Sequence, residues 1–172
     1  MRHNPLVDPR ELAQLHDESF SWALTCTRGR RAEAEEVLQM SYLAIVEGRA
    51  RFGGQASLRT WLFAVIRNHA YSRWRRARRT LQGLARLATF TTEAHEGETA
   101  AARYQAAQDG TRVLQAWQAL APRQREVLDL VFYRELSIAE AAAVLGVSLG
   151  TARVHYERGK ATLRRHLEGS AG

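Results

Sequence analysis

Between Ser137 and Leu167 the sequence permits little other than two helices joined by a tight turn. Ser137-Ile138-Ala139-Glu140 is a capping box, in which the serine hydroxyl and the glutamate side chain satisfy amides that a helix start leaves exposed. Ile138, Ala141, Ala142 and Leu145 then recur on one face, Gly146 stops the helix, Val147 packs into the corner and Ser148 caps the next helix. In that second helix Ala152, Tyr156, Gly159, Leu163 and Leu167 form one inward stripe, which leaves Arg153, Val154, Glu157 and Arg158 facing away. Long polar groups on the N-terminal half of such a helix suit base edges in a major groove. Amides at the helix start suit a phosphate. The expected duplex-contacting set is Ser148, Gly150, Thr151, Arg153, Val154, Glu157, Arg158 and Lys160, with Arg164 and Arg165 placed for backbone contacts. The bland alternative is a capped helical hairpin with a solvated basic face.

The remainder also reads as helix, because apolar residues recur at spacings of three and four and no alternating β-branched run occurs. Over Glu33–Glu47 the expected inward residues are Ala34, Val37, Leu38, Tyr42, Ile45 and Val46. Over Leu58–Arg79 they are Leu58, Leu62, Val65, Ile66 and Ala70. Residues 112–120 and 123–133 add Val113, Leu114, Trp117 and Leu120, then Val127, Leu128, Val131 and Phe132. The fold class is all-α. At 172 residues the chain fits one ordinary domain or two small ones.

Charge divides the chain. Residues 1–80 carry +6, 81–111 carry −2 and 112–172 carry +3, giving a net charge of +7. Thr89 to Thr99 is small, polar and acidic without apolar periodicity, so two helical domains, 10–80 and 109–169, are expected on either side of a flexible linker at 81–108. Of 25 basic residues only Lys160 is a lysine, and guanidinium forks suit phosphate and base edges. Arg67-Asn68-His69-Ala70-Tyr71-Ser72-Arg73-Trp74-Arg75-Arg76-Ala77-Arg78-Arg79 holds six arginines, two aromatics and no acid, a pattern suited to nucleic acid with exposed bases. Just upstream, Phe52-Gly53-Gly54-Gln55-Ala56-Ser57 is a short loop between helices, capped by Ser57. Glu33, Glu35 and Glu36 sit at a helix start, where carboxylates complement the macrodipole or offer a basic partner a docking surface.

Taken in order, these segments resemble the extracytoplasmic-function group of sigma-70 factors, the two-domain proteins that give bacterial RNA polymerase its promoter choice. Glu33-Ala34-Glu35-Glu36-Val37-Leu38-Gln39-Met40-Ser41-Tyr42 is similar to the family helix that docks on the clamp of the polymerase core. The resemblance implies core contacts at Glu33, Glu35, Glu36, Leu38, Gln39 and Tyr42. Phe52 through Leu62, with Ser57-Leu58-Arg59-Thr60-Trp61-Leu62, resembles the loop and helix that capture the melted minus-10 element. It implies strand contacts at Phe52, Gly54, Gln55, Ser57, Arg59, Thr60, Trp61, Arg67, Asn68, Tyr71, Arg73, Arg75 and Arg76. Leu120-Ala121-Pro122-Arg123-Gln124-Arg125-Glu126-Val127-Leu128 and Leu145 through Arg153 resemble the family region that reads the minus-35 element and touches the polymerase flap. Met40 and Ser41 depart from the family pattern, as do Ser72 and Val154-His155-Tyr156-Glu157. The resemblance further implies RNA polymerase core and promoter DNA as partners, with an anti-sigma protein as sequestering partner.

The second class of function is a stand-alone regulator of the LuxR type, which shares a similar C-terminal helix pair. Such a regulator carries an α/β receiver or ligand domain upstream, and the arginine-rich helical half offers none. Enzymatic function is not expected. The six histidines show no metal-ligand spacing, no glycine-rich phosphate loop precedes a helix and no nucleophile elbow is present, so neither cofactor nor metal is anticipated. The single Cys26 excludes an intramolecular disulfide framework. With no apolar leader at Met1–Pro5 and no apolar run of ~18 residues, a cytoplasmic protein without membrane insertion is expected.

Overall fold

The computed structural model describes residues 7–85 and 108–168, and the chain divides into two compact units, 1–99 and 100–172. The first unit contains α1 (Pro9–Gln14), α2 (His16–Cys26), α3 (Arg31–Val46) and α4 (Leu58–Ala85). The second contains α5 (Gln108–Gln118), α6 (Pro122–Leu128), a single π turn (Asp129–Tyr133), α7 (Ile138–Leu145) and α8 (Leu149–Glu168). The described residues are helical or loop throughout, in keeping with the all-α expectation. α4 runs on to Ala85, five residues past the expected domain edge, and the rest of the expected linker, 86–107, lies outside the described residues.

In the first unit α2, α3 and α4 pack on one another around Trp22, Val37, Leu38, Ile45, Leu62, Phe63 and Ile66. Trp22 is fully buried, and its indole N–H donates to the Phe63 carbonyl at 3.0 Å, so the polar edge of a large apolar ring is satisfied inside the core. Ser41 is also buried and donates its hydroxyl to the Val37 carbonyl at 2.7 Å. Ser57 caps α4 by accepting from the Thr60 amide at 3.1 Å.

In the second unit α8 packs against α5, α6 and α7. The capping box forms as expected, with the Glu140 amide donating to the Ser137 hydroxyl at 3.2 Å and the Ser137 amide to Glu140 Oε2 at 2.9 Å. Gly146 ends α7 in the left-handed region at φ 62°, and the Val147 amide closes the turn on the Ala142 carbonyl at 3.1 Å. Ser148 caps α8 through the Thr151 amide at 3.1 Å.

Four expected inward residues lie outward. Val46, at 61% exposed, stands on the solvent side of α3, where the three-residue step from Leu43 carries it past the buried Ile45. Phe132 is 56% exposed because the π turn widens the helix after Leu128, so that Leu130 takes the buried place. Its ring stacks instead on Tyr156, 5.8 Å between centroids. Val113, midway along α5, and Leu167, on the last turn of α8, are also exposed. Buried Arg134 donates to Asp129 at 2.8 Å and ties the π turn to the segment entering α7.

At Gly159 α8 lies close against α6, since a Cβ there would meet Leu128 Cδ1 at 2.8 Å and Gln124 Cβ at 3.3 Å. Gly150, on the same helix, would meet only Ser148 Oγ at 3.9 Å. Gly159→Ala should therefore lower stability by about 1–3 kcal/mol through overpacking. Gly150→Ala should raise it by about 0.5–1 kcal/mol, having no clash and less unfolded-state freedom. Thermal melts of the two variants should move in opposite directions; two stabilised proteins would contradict the close crossing.

Candidate nucleic-acid and protein interfaces

On α8, Gly150, Thr151, Arg153, Val154, Glu157 and Arg158 are exposed, while Ala152 and Gly159 are buried and Tyr156 and Leu163 half-buried. The inward stripe thus orients the helix as its spacing predicts, apart from its last residue. Ser148 and Thr151 hydroxyls lie 2.9 Å apart and hold each other at the helix start. Lys160 Nζ lies 3.4 Å from Glu157 and 4.9 Å from the Tyr156 ring centroid, which draws its charge back along the helix. Among the described residues Arg153 and Arg158 form no ion pair, and the neighbouring Glu157 carboxylate is engaged by Lys160.

The first unit concentrates its features on α4. Phe52 from the preceding loop packs on Trp61, 5.3 Å between centroids, so the loop and the first turn of α4 present one aromatic edge. Gly53, Gly54, Gln55 and Ser57 are exposed beside it, and Gly54 sits at φ 71°, a backbone conformation that favours glycine. Asn68, Arg75 and Arg76 are exposed further along, and Tyr71 is half-buried.

Four other members of the expected strand-contact set, Thr60, Arg67, Arg59 and Arg73, are engaged within the unit. Thr60 is 1% exposed and accepts from Ser57 Oγ at 2.8 Å, because the capping geometry turns it inward. Arg67 is 5% exposed, its guanidinium 4.4 Å from the Tyr71 ring centroid. Arg59 forms a bidentate pair with Glu18 of α2, Nε to Oε2 at 3.0 Å. These side chains shape the surface from beneath. Arg73 pairs with Glu36 and lies 3.9 Å from Glu33, so it joins the arginine-rich helix to the acidic start of α3.

That pairing alters the expected docking surface on α3. Leu38 is buried in the core and Tyr42 is half-buried, its hydroxyl 3.3 Å from His16 Nδ1. Glu35 pairs with Arg31 at 3.0 Å. What α3 offers outward is Glu35, Glu36 and Gln39 together with Met40, Leu43 and Val46, three exposed apolar side chains at three-residue spacing. Sequence reasoning missed Leu43 and set Val46 inside; the signal was the three-residue step opposite Val37, Ser41 and Ala44.

His69 is held below the ordinary imidazole value, first by burial and then by the cationic Arg49 and Arg76. Among the described residues there is no cluster of three or more His, Cys, Asp or Glu able to hold a metal, and no helix is long and apolar enough to cross a membrane.

Comparison with known proteins gives a consistent picture. The family model described as "Sigma-70 region 2" matches residues 13–80, and that described as "Sigma-70, region 4" matches residues 111–163. The chain is 30% identical over 138 residues to the RNA polymerase sigma factor CarQ of Myxococcus xanthus, covering 79% of this chain and 75% of the relative. It is 27% identical over 144 residues to the ECF RNA polymerase sigma factor EcfG of Rhodopseudomonas palustris (strain TIE-1), covering 83% and 76%. Among solved structures, the fold resembles the sigma factor RpoE of Bartonella quintana, crystallised with the anti-sigma factor NepR, with a TM-score of 0.69, 23% identity and coverage of 92% and 95%.

The depressed His69 value has a sign. The unfolded chain binds this proton more readily, so the stability that His69 contributes is present above an imidazole's usual value of about 6.5 and is lost as pH falls below it. Thermal melts between pH 7.5 and 5 should decline less for His69→Gln than for the parent. An equal decline would remove His69 from the account.

Proposed function

We infer the work of each unit from one premise: the chain belongs to the sigma-70 family of RNA polymerase factors, in its extracytoplasmic-function group. It is an RNA polymerase sigma factor, and the family is one of non-enzymatic transcription initiation factors. Polymerisation is the chemistry of the partner.

The first unit docks on core polymerase through the outward face of α3. Apolar Met40, Leu43 and Val46 supply buried area and Glu35, Glu36 and Gln39 supply the polar rim. The Phe52–Trp61 edge, the Gly54–Ser57 loop and Asn68 capture an unpaired minus-10 strand, while Arg75 and Arg76 hold its phosphates. The second unit reads the minus-35 duplex through Arg153, Val154, Glu157 and Arg158, with the capped start of α8 on a phosphate. Lys160 serves the backbone. An anti-sigma protein is the regulatory partner, a reading supported by the solved relative crystallised with one. The protein acts in the bacterial cytoplasm, where polymerase and promoter meet.

The observation that carries this reading is the pairing, in one chain, of a capped helix-turn-helix with exposed Arg153 and Arg158 and an acid-free helix, α4, fronted by an aromatic loop. A stand-alone operator-binding regulator accounts for the former alone.

Purified chain added to bacterial core polymerase should start run-off transcription at a cognate promoter, and failure to bind core would overturn the reading. Leu43→Asp should abolish core binding without changing the melting temperature much, since Leu43 is exposed. Arg153→Ala or Arg158→Ala should weaken minus-35 duplex binding by ~1–3 kcal/mol per lost base contact. Parent-like duplex binding by both variants would show that another face of α8 meets DNA.

A further inference from the structure

Trp74 lies outside the strand-contact surface described so far. The residues Arg67, Tyr71, Trp74 and Arg78 recur at spacings of four, three and four, which places them on one face of α4. The structure stacks them in that order: Arg67 over Tyr71 at 4.4 Å, Tyr71 edge-on to Trp74 at 6.4 Å and 61°, and Arg78 over Trp74 at 5.4 Å. The inner end of this ladder is buried with Arg67, and the outer end is open, with Trp74 45% exposed. Trp22, by contrast, is sealed in the core and Trp61 is packed on Phe52.

At 100° and 1.5 Å per residue, Trp74 stands about 20 Å along α4 from Trp61 and roughly 140° around it, too far for both rings to serve one base. The surroundings of Trp74 are cationic. Arg75, Arg76, Arg78 and Arg79 are exposed, and the sequence holds no acid between Glu47 and Glu93. A flat indole, held in place by a guanidinium and flanked by phosphate-binding side chains, fits a nucleobase on a charged backbone. An acidic peptide would use the arginines and leave the ring idle.

We propose that Trp74 and Arg78 form a second stacking site on α4 for an unpaired nucleobase of a single strand, with Arg75 and Arg79 on the adjoining phosphates. The proposal rests on the reading of α4 as a nucleic-acid surface. Tyr71 buttresses the indole from within, and the exposed ring binds with little loss of rotamer freedom because Arg78 already restrains it.

The test uses the full chain, a mixed-sequence single-stranded oligodeoxynucleotide and the matching duplex. The single strand should quench tryptophan emission, and the duplex should quench far less. Trp74→Ala should weaken single-strand binding roughly ten-fold, the range expected for one lost base stack, whereas Trp74→Phe should bind within about two-fold of the parent and lose the share of the quenching that a Trp61→Phe chain retains. Parent-like binding by Trp74→Ala, undiminished quenching in Trp74→Phe, equal quenching by duplex, or no single-strand binding by the parent would each overturn the site. Core-dependent transcription by the same parent preparation separates the premises: transcription without stacking removes this site alone, and stacking without transcription removes the sigma reading.

Discussion

The hydrogen bond from the Trp22 indole to the Phe63 carbonyl sets the rotation of α4, and what the first unit presents outward follows from that rotation. With Leu62, Phe63, Ile66 and Ala70 seated in the core, Trp61, Asn68 and Arg75 must stand on one exposed side and Tyr71, Trp74 and Arg78 on another. A slip of one residue would turn the helix by about 100° and drive arginines into an apolar core. The same helix therefore serves as a wall of the core in its first half and as a charged surface in its second. Arg73 then links that surface to Glu33 and Glu36 on α3, so the helix proposed to meet polymerase and the helix proposed to meet DNA are joined by ion pairs. Those pairs are partly exposed, and their direct contribution to stability is small. Their consequence is positional.

The second unit solves a similar problem with a different device. α8 must expose a long polar face and still pack tightly, and Gly159 lets it approach α6 within a distance that a methyl group would not permit. The buried Arg134–Asp129 pair and the π turn set the entry into the capping box at Ser137, which in turn fixes where Ser148 begins α8. Breaking such a pair on one side would leave an uncompensated buried charge. Local geometry upstream thus determines which residues of α8 face outward.

Much of this was legible in the residues. The capping box, Gly146 and the Ser148 cap specify the helix-turn-helix through short-range hydrogen bonds, and the structure reproduces each of them. The resemblance to sigma-70 factors named the family. What the sequence hid was the orientation of long or amphipathic side chains, whose placement depends on partners distant in the chain. Arg59 reads as a strand contact until Glu18, 41 residues away, is brought against it. Arg67 reads as surface until its stem packs inward and its guanidinium meets Tyr71. Phe132 reads as core because a regular helix would bury it; the π turn that releases it leaves no mark in the apolar period. Leu43 and Val46 were obscured because α3 is apolar on both sides, and only packing separates the covered side from the open one.

The central claim is that this one chain, with core polymerase, opens promoter DNA by gripping a duplex through α8 and an unpaired strand through α4. Permanganate reactivity of thymines around the minus-10 position tests it most directly. Reactive thymines should appear when chain and core polymerase are both present on a cognate promoter and in neither component's presence alone. Opening by core polymerase without the chain, or duplex binding by the complete assembly with every minus-10 thymine still protected, would contradict it.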